Sequence, residues 1–265
     1  NRMAAMSAQP ADPVLECRGV TVSVPGRELV RELHAAIRPG RVLALLGRNG
    51  AGKSSLLHVL AGIAAPAEGE VLFAGRPVAA WPRRDLARQL GMLMQASEDP
   101  FPGTVLDTAL VGRHPHIDFW QWESDADRAV ARRCLAAMDL AGLEARDVGT
   151  LSGGERRRLA IATVLAQDPQ VFLLDEPIQQ LDPQHELDVL RRFRALAEAG
   201  RTVVLSLHDP GLAARFADDV LLLFGDGRWR HGPVGETLHE SAIGELYGIT
   251  VKELSWHGGR TFVPA

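Results

Sequence analysis

The sequence predicts an α/β protein: a mixed sheet carrying a phosphate-binding loop, an antiparallel β layer ahead of that loop, and a helical segment inserted before the last strands. Three observations carry this prediction. Short apolar runs bounded by turn residues alternate with helical patterns along most of the 265 residues, the pattern of strands linked by helices. The stretch Gly47-Arg48-Asn49-Gly50-Ala51-Gly52-Lys53-Ser54-Ser55 follows the apolar run Val42–Leu46 and leads into a helical pattern from Ser54 to Ala61. Between Gln95 and Gln167 the strand pattern disappears and helical segments replace it.

Taken in order, residues 1–12 lack an apolar stretch and a cleavage pattern, so they read as a flexible start rather than a secretory signal. Val14–Glu16 and Val20–Val24, with turn signals at Pro25-Gly26 and Pro39-Gly40, form the antiparallel layer. Val42–Leu46 is the buried strand before the glycine-rich loop, and Glu70–Phe73 and Gly91–Met94 are further strands. Helices are expected over Ser124–Leu140 and Gly154–Ala166, within a helical subdomain spanning 95–167. Val171–Leu174, Thr202–Leu207 and Val220–Phe224 return to the sheet, and a short helix lies near Ser241–Tyr247. Residues 13–250 read as one nucleotide-binding domain and 251–265 as a tail with no interpretable pattern.

Composition excludes several classes of function. Hydrophobic residues make up 46% and charged residues 23%, which suits a globular chain with a substantial core. A net charge of -4 gives no basic face and argues against a nucleic-acid partner. The clusters Arg156-Arg157-Arg158 and Arg191-Arg192 sit among acids and read as solvated helix faces. Apolar runs such as Val220–Phe224 are far shorter than a membrane span. Cys17 and Cys134 have neither metal nor redox spacing and read as unpaired thiols of a reducing compartment.

The chemistry begins at Lys53. Every basic residue except Lys53 and Lys252 is arginine, and a chain that retains lysine here needs a compact charge on a thin stem. The spacing fits G-x-x-x-x-G-K-[ST], whose backbone N–H groups wrap phosphates while the lysine meets the β/γ oxygens and a hydroxyl, here Ser54, ligates Mg²⁺. Asp175 and Glu176 end the strand Val171–Leu174, where a parallel sheet opens its ligand crevice. The first suits a metal-holding role and the second suits accepting a proton from water; taken alone, Asp-Glu-Pro is also an ordinary turn after a strand. Leu151-Ser152-Gly153-Gly154-Glu155 precedes a helix, making either a plain helix cap or a second anion-binding N-terminus.

Together these stretches resemble the ATP-binding-cassette (ABC) ATPases, a RecA-like P-loop NTPase family, and the resemblance covers nearly everything from Val14 to about Tyr247. The family's motifs fall in order: Walker A at Gly47–Ser54, the Q-loop at Gln95, the signature at Leu151–Glu155, Walker B at Val171–Asp175, the D-loop at Leu181-Asp182 and the switch at His208. The resemblance implies a head-to-tail homodimer in which Mg²⁺-bound ATP on one P-loop is completed by Ser152-Gly153-Gly154 of the other copy. It assigns Glu176 to polarise the attacking water, His208 to contact the γ-phosphate, Gln95 to sense metal and water, and Asp182 to link the two sites. Three positions depart from the family pattern. Val24 stands where an adenine-stacking aromatic is usual, Gln179-Gln180 precede Leu181-Asp182 in place of Ser-Ala, and Thr163 replaces a customary arginine.

The stretch after Gln95, with Phe101-Pro102-Gly103-Thr104-Val105 and Gly112-Arg113-His114-Pro115-His116, is similar to the ATPases of the larger importers for haem, ferric siderophores and cobalamin. That similarity implies an integral membrane permease, two copies of it, a substrate-binding protein further out, and a peripheral place on the cytoplasmic face of the inner membrane. Residues 100–122, with Phe119, Trp120 and Trp122, are expected to include the permease-facing surface; His114 and His116 are read as surface or packing residues. Alternatives within the same family are a soluble ATPase of an iron–sulfur assembly machine, a cassette acting on DNA or ribosomes, and an exporter of lipid or drug.

Overall fold

In the computed structural model, which describes residues 12–95, 103–118, 120–256 and 259–265, the apolar runs become the strands of two sheets. The first sheet holds β1 (Leu15–Val24), β2 (Arg27–Ile37), β4 (Glu68–Phe73) and β5 (Arg76–Pro77) in the order β2-β1-β4-β5, all antiparallel. The second is built on β3 (Val42–Leu46), β6 (Leu90–Leu93), β7 (Val171–Leu174), β8 (Thr202–Leu207), β9 (Asp219–Leu223) and β10 (Trp229–Pro233), in the order β10-β9-β3-β8-β7-β6. Its members are parallel except β10, which pairs antiparallel at one edge. This is the α/β architecture the sequence predicts, a mixed sheet with an antiparallel layer beside it.

Strands β3, β7 and β8 are buried along their whole length, which is why they read as continuous apolar runs rather than alternating ones. The strand repeat of two sorts their side chains between two cores. Ala44, Leu46, Phe172, Leu174, Leu205 and Leu207 face one core, and Leu43, Leu45, Val171, Leu173 and Val204 face the other. The second core is closed by β1, β2 and α1 (Lys53–Leu60). The first is closed by the helices α3 (Val105–Val111), α4 (Asp125–Ala136), α5 (Gly153–Gln167) and α6 (Pro183–Glu198), which come after the short α2 (Arg83–Ala87).

Among the described residues no strand lies between β6 and β7, and helices occupy that segment. Each of its three helices starts on a reciprocal cap: Thr104 with Asp107, Ser124 with Asp127, and Ser152 with Glu155. These caps satisfy the orphan N–H groups of the first turn. Helix α3 ends against α5 at Gly112, where a Cβ would stand 2.1 Å from the Thr163 carbonyl oxygen. Thr163 itself donates to the Leu159 and Thr108 carbonyls at 3.0 and 3.3 Å, so this position fastens α3 to α5 by hydrogen bonds. His116 bonds the Gln167 carbonyl at 2.8 Å, a packing role like the one expected of it.

Three differences from the sequence expectations have physical causes. Val14–Glu16 and Val20–Val24 are halves of one strand, β1, whose register shifts around Gly19, a glycine at φ 62°. Strand β2 is not expected from the sequence, because Leu29, Val30 and Leu33 fall at helical spacing and pairing with β1 overrides it. The tail is a hairpin, β11 (Val251–Trp256) with β12 (Gly259–Pro264). It lies on α7 (Pro210–Phe216), where Gly211 passes so close that a Cβ would meet the Thr261 hydroxyl at 2.5 Å. The short α8 (Val234–Thr237) and α9 (Glu240–Tyr247) precede it. The flexible start, apart from Asp12, lies outside the described residues, as do 100–102 and Phe119 of the expected permease-facing stretch. Trp120 and Trp122 are each 90% exposed.

Candidate functional site

The strand order places β8 between β3 and β7, so the glycine-rich loop, His208 and Asp175 leave adjacent carboxyl ends of one parallel sheet. Gln95 follows the next strand, β6. Ligands bind at this end of open α/β sheets.

The loop is shaped by glycine where other residues fit poorly. Gly52, the N-cap of α1, has φ 101°, a conformation L side chains rarely adopt. At Gly47 a Cβ would lie 2.6 Å from the Leu223 carbonyl oxygen, so only hydrogen lets the loop rest on β9. Lys53 is the first residue of α1 and is 5% exposed. Its Nζ donates to the Gly47 carbonyl at 2.8 Å and the Arg48 carbonyl at 3.3 Å. Burial lowers its pKa, while the Glu176 and Asp175 carboxylates oppose that shift. Asn49, Gly50, Ala51, Ser54 and Ser55 complete the loop and the first turn of the helix. Arg27, beyond the turn that follows Val24, donates to the Gly225 carbonyl at 2.8 Å and the Gly50 carbonyl at 3.2 Å, bracing the same loop from the β layer.

The second half of the crevice is held by a hydroxyl that the sequence motifs do not include. Ser206 is fully buried in β8; its Oγ donates to Asp175 Oδ1 at 2.7 Å and accepts the Glu176 backbone N–H at 2.7 Å. A serine within the apolar run that follows Thr202, two positions before His208, is the available signal. Glu176 has φ 47°, a left-handed backbone that costs a non-glycine residue about 1–3 kcal/mol and persists only where neighbours enforce it. Its Oε1 lies 2.7 Å from His208 Nε2, and Gln95 Nε2 donates to its Oε2 at 3.5 Å. The folded chain thus brings Gln95, Glu176 and His208 together on one carboxylate. Tyr247 supports the histidine from α9, its hydroxyl donating to the His208 carbonyl at 3.1 Å.

Ser152 caps α5: its hydroxyl accepts the Glu155 N–H at 3.2 Å while the Glu155 carboxylate accepts the Ser152 N–H at 2.7 Å. Hydrogen bonds from the Ser152 N–H and side chain hold the Glu155 carboxyl below its ordinary pKa. Gly153 and Gly154 lie beside Gln180, whose side-chain oxygen and backbone carbonyl would stand 3.1 and 3.2 Å from a Cβ on each. Gln180 is itself left-handed, at φ 66°. The unusual glutamine of the D-loop therefore packs on the signature. Asp182 caps α6, accepting the N–H groups of Gln184 and His185 at 3.1 and 3.0 Å and pairing with His185 Nδ1 at 2.6 Å. The His185 bonds foremost lower its pKa.

One expectation is overturned. Arg156 is exposed, but Arg157 is 2% exposed and points inward from α5 rather than onto a solvated face. Burial lowers its pKa to about 10, so the guanidinium stays charged at neutral pH.

Known proteins share this fold. A family model described as ABC transporter matches residues 30–179. The chain is 40% identical over 247 residues to the hemin import ATP-binding protein HmuV of Streptomyces coelicolor, covering 92% of this chain and 87% of that one. It is 40% identical over 215 residues to the cobalamin import ATP-binding protein BtuD of Halobacterium salinarum, covering 81% of this chain and 53% of that one. Among solved structures, an ABC transporter described as of metal-chelate type, in an inward-facing conformation, superposes with a TM-score of 0.82. That match has 28% identity and covers 95% of this chain and 97% of the other.

Proposed function

The chain belongs to the ABC transporter family, and from that membership we propose that it powers uptake of haem through a separate membrane permease by hydrolysing ATP. The observation that carries the hydrolytic assignment is the convergence of Gln95 and His208 on Glu176 beside the lysine-bearing loop. The cargo rests on similarity to a hemin import protein along 92% of the chain; cobalamin is the second reading, on similarity along 81% of it. Among the described residues no helix is long and apolar enough to cross a membrane.

In this reading the loop 47–55 wraps the ATP phosphates with its backbone N–H groups, and the N-terminus of α1 faces them. Lys53 moves its ammonium from the loop carbonyls to the β/γ oxygens. Ser54, Asp175 and Gln95 offer hydroxyl, carboxylate and amide oxygens, a hard donor set that suits Mg²⁺. The ion, when bound, neutralises charge on the phosphates. Glu176 orients the attacking water and accepts its proton; the water oxygen bonds to the γ-phosphorus as the bond to the β-phosphate oxygen breaks, and ADP leaves. His208 contacts the γ-phosphate. Two copies meet head to tail, each site completed by Ser152-Gly153-Gly154 of the other and linked to it by Asp182. Closure of that dimer moves the helical arm, 95–167, and the permease attached to it at the cytoplasmic face of the inner membrane. The ATPase domain is assigned to 13–250, with 251–265 as an appended hairpin.

The test is purification of the tagged chain from its native membrane. Recovery of an integral permease whose ATPase rate rises with a haem-loaded binding protein supports the proposal. Stimulation by cobalamin instead reassigns the cargo, and recovery with no membrane protein rejects the importer.

A further inference from the structure

We propose that Arg157 is a positioning residue that ties the signature helix to the hydrolytic carboxylate, so that nucleotide engaging Ser152–Gly154 sets the orientation of Glu176 in the same chain. The proposal rests on the ATPase reading above, with Glu176 as the group that orients water.

Arg157 is buried, and among the described residues its hydrogen bonds all go to backbone carbonyls. Nη1 donates to Met94 at 2.9 Å, Nη2 to Glu176 at 2.6 Å and to Asp175, and Nε to Pro177 at 3.2 Å. A buried guanidinium is costly unless its donors are used, and here it is held by two segments far apart in sequence. Met94 immediately precedes Gln95, and Asp175, Glu176 and Pro177 are consecutive. The planar fork is suited to this, because its donors have fixed directions that an ammonium lacks.

Glu176 shows what the contact does. Its left-handed backbone at φ 47° persists only if the surroundings over-determine it. On its amino side Ser206 accepts its N–H and Arg157 binds the Asp175 carbonyl of the same peptide; on its carbonyl side Arg157 binds the carbonyls of Glu176 and Pro177. The same guanidinium fixes the residue from which Gln95 departs. Two of the three groups that meet at the hydrolytic carboxylate therefore take their backbone position from one side chain.

That side chain rides on α5, one helical turn from the signature glycines, since Gly153 and Arg157 are four residues apart. A displacement of the helix N-terminus is carried to the guanidinium as a rigid movement, and from there to the peptides around Glu176. Each chain's water-orienting group thereby responds to the nucleotide that its signature meets in the dimer, which couples the two sites. Ser206 holds the peptide before Glu176 and Arg157 the peptides on both sides of it, the first fixed to the sheet and the second to the moving helix.

The test compares Arg157→Gln and Arg157→Lys with the parent chain in its permease complex, measuring ATP affinity, kcat and the Hill coefficient of hydrolysis. The expected result for Arg157→Gln is a kcat about 10²-fold lower, ATP affinity within about threefold of the parent, and a Hill coefficient falling from near two toward one. Arg157→Lys, which keeps the charge with fewer fixed donors, recovers part of kcat. If Arg157→Gln does not fold, Arg157→Lys decides alone: reduced kcat and Hill coefficient at parental affinity support the proposal. Parental kcat and cooperativity in the folded variants overturns it, and so does a parallel fall of ATP affinity and kcat, which marks a merely structural role. Glu176→Gln measured alongside separates the two readings. If it is inactive while Arg157→Gln turns over normally, only the Arg157 proposal fails; if it turns over normally, the assignment of Glu176 fails.

Discussion

Replacing Ser206 with alanine removes two interactions at once. The side chain is fully buried, and its hydroxyl joins the Asp175 carboxylate and the Glu176 N–H at 2.7 Å each. Alanine differs by one oxygen, so little cavity forms, but a carboxylate oxygen and an amide lose their partner in a buried place. Stranding a buried polar group costs about 1–3 kcal/mol; for the two together about 2–4 kcal/mol is expected, since part of the cost is relieved by relaxation. For a domain of this size that is a fall in Tm of roughly 5–15 °C. Freeing the peptide before Glu176 also loosens its carboxylate; with Glu176 in the proposed water-orienting role, kcat should fall at least about tenfold while ATP affinity stays near parental. Thermal melts and urea titrations give the first quantity, steady-state ATPase rates the second. A Ser206→Ala protein with parental Tm and parental kcat would refute the claim that this hydroxyl positions the site.

Other consequences are as direct. Lys53→Ala removes the ammonium now held by the Gly47 and Arg48 carbonyls, and ATP affinity measured by calorimetry should fall about ten- to hundredfold. Gly47→Ala places a Cβ 2.6 Å from the Leu223 carbonyl oxygen; lifting the loop off β9 should cost about 1–3 kcal/mol, read as weaker ATP binding in a folded protein. Glu176→Gln should bind ATP normally and accumulate a closed dimer on size-exclusion chromatography, with kcat at least about 10²-fold lower. Cys17 is buried, which pushes its thiol up to about 12. The unfolded chain gives up that proton at lower pH than the folded one, so stability falls as pH rises from about 9 to 12, by about 1–2 kcal/mol at pH 10. Urea unfolding at pH 8 and 10 should show a shallower loss in Cys17→Ala.

Much of this architecture is legible in the sequence because the site lies on strands whose burial is complete. Val42–Leu46, Val171–Leu174 and Thr202–Leu207 read as apolar runs for the same reason that they form the middle of the sheet, and the residues at their carboxyl ends follow automatically. What the sequence does not convey are features set by tertiary contact. Strand β2 has local spacing suited to a helix and is made a strand by β1. The hairpin over 251–264 has few apolar residues and gains its place from α7. Arg157 is hidden in a run of three arginines whose composition suggests solvent, and only the approach of Met94 and the 175–177 backbone distinguishes it from Arg156. Ser206 is a single hydroxyl whose role depends on which strand lies beside it, β7, carrying Asp175. The departures at Thr163 and Gln180 likewise acquire meaning only from their contacts, with Thr108 and with the signature glycines.

In the proposed function, hydrolysis at Lys53 and Glu176 drives haem through a membrane. Its most direct test is uptake into proteoliposomes containing the chain and its permease, with haem-loaded binding protein on the far side and ATP on the side of the ATPase. Haem should accumulate only with ATP and Mg²⁺, and accumulation should stop with Lys53→Ala and with Glu176→Gln. Haem accumulation that continues in those variants, or ATP hydrolysis with no haem movement, would contradict it.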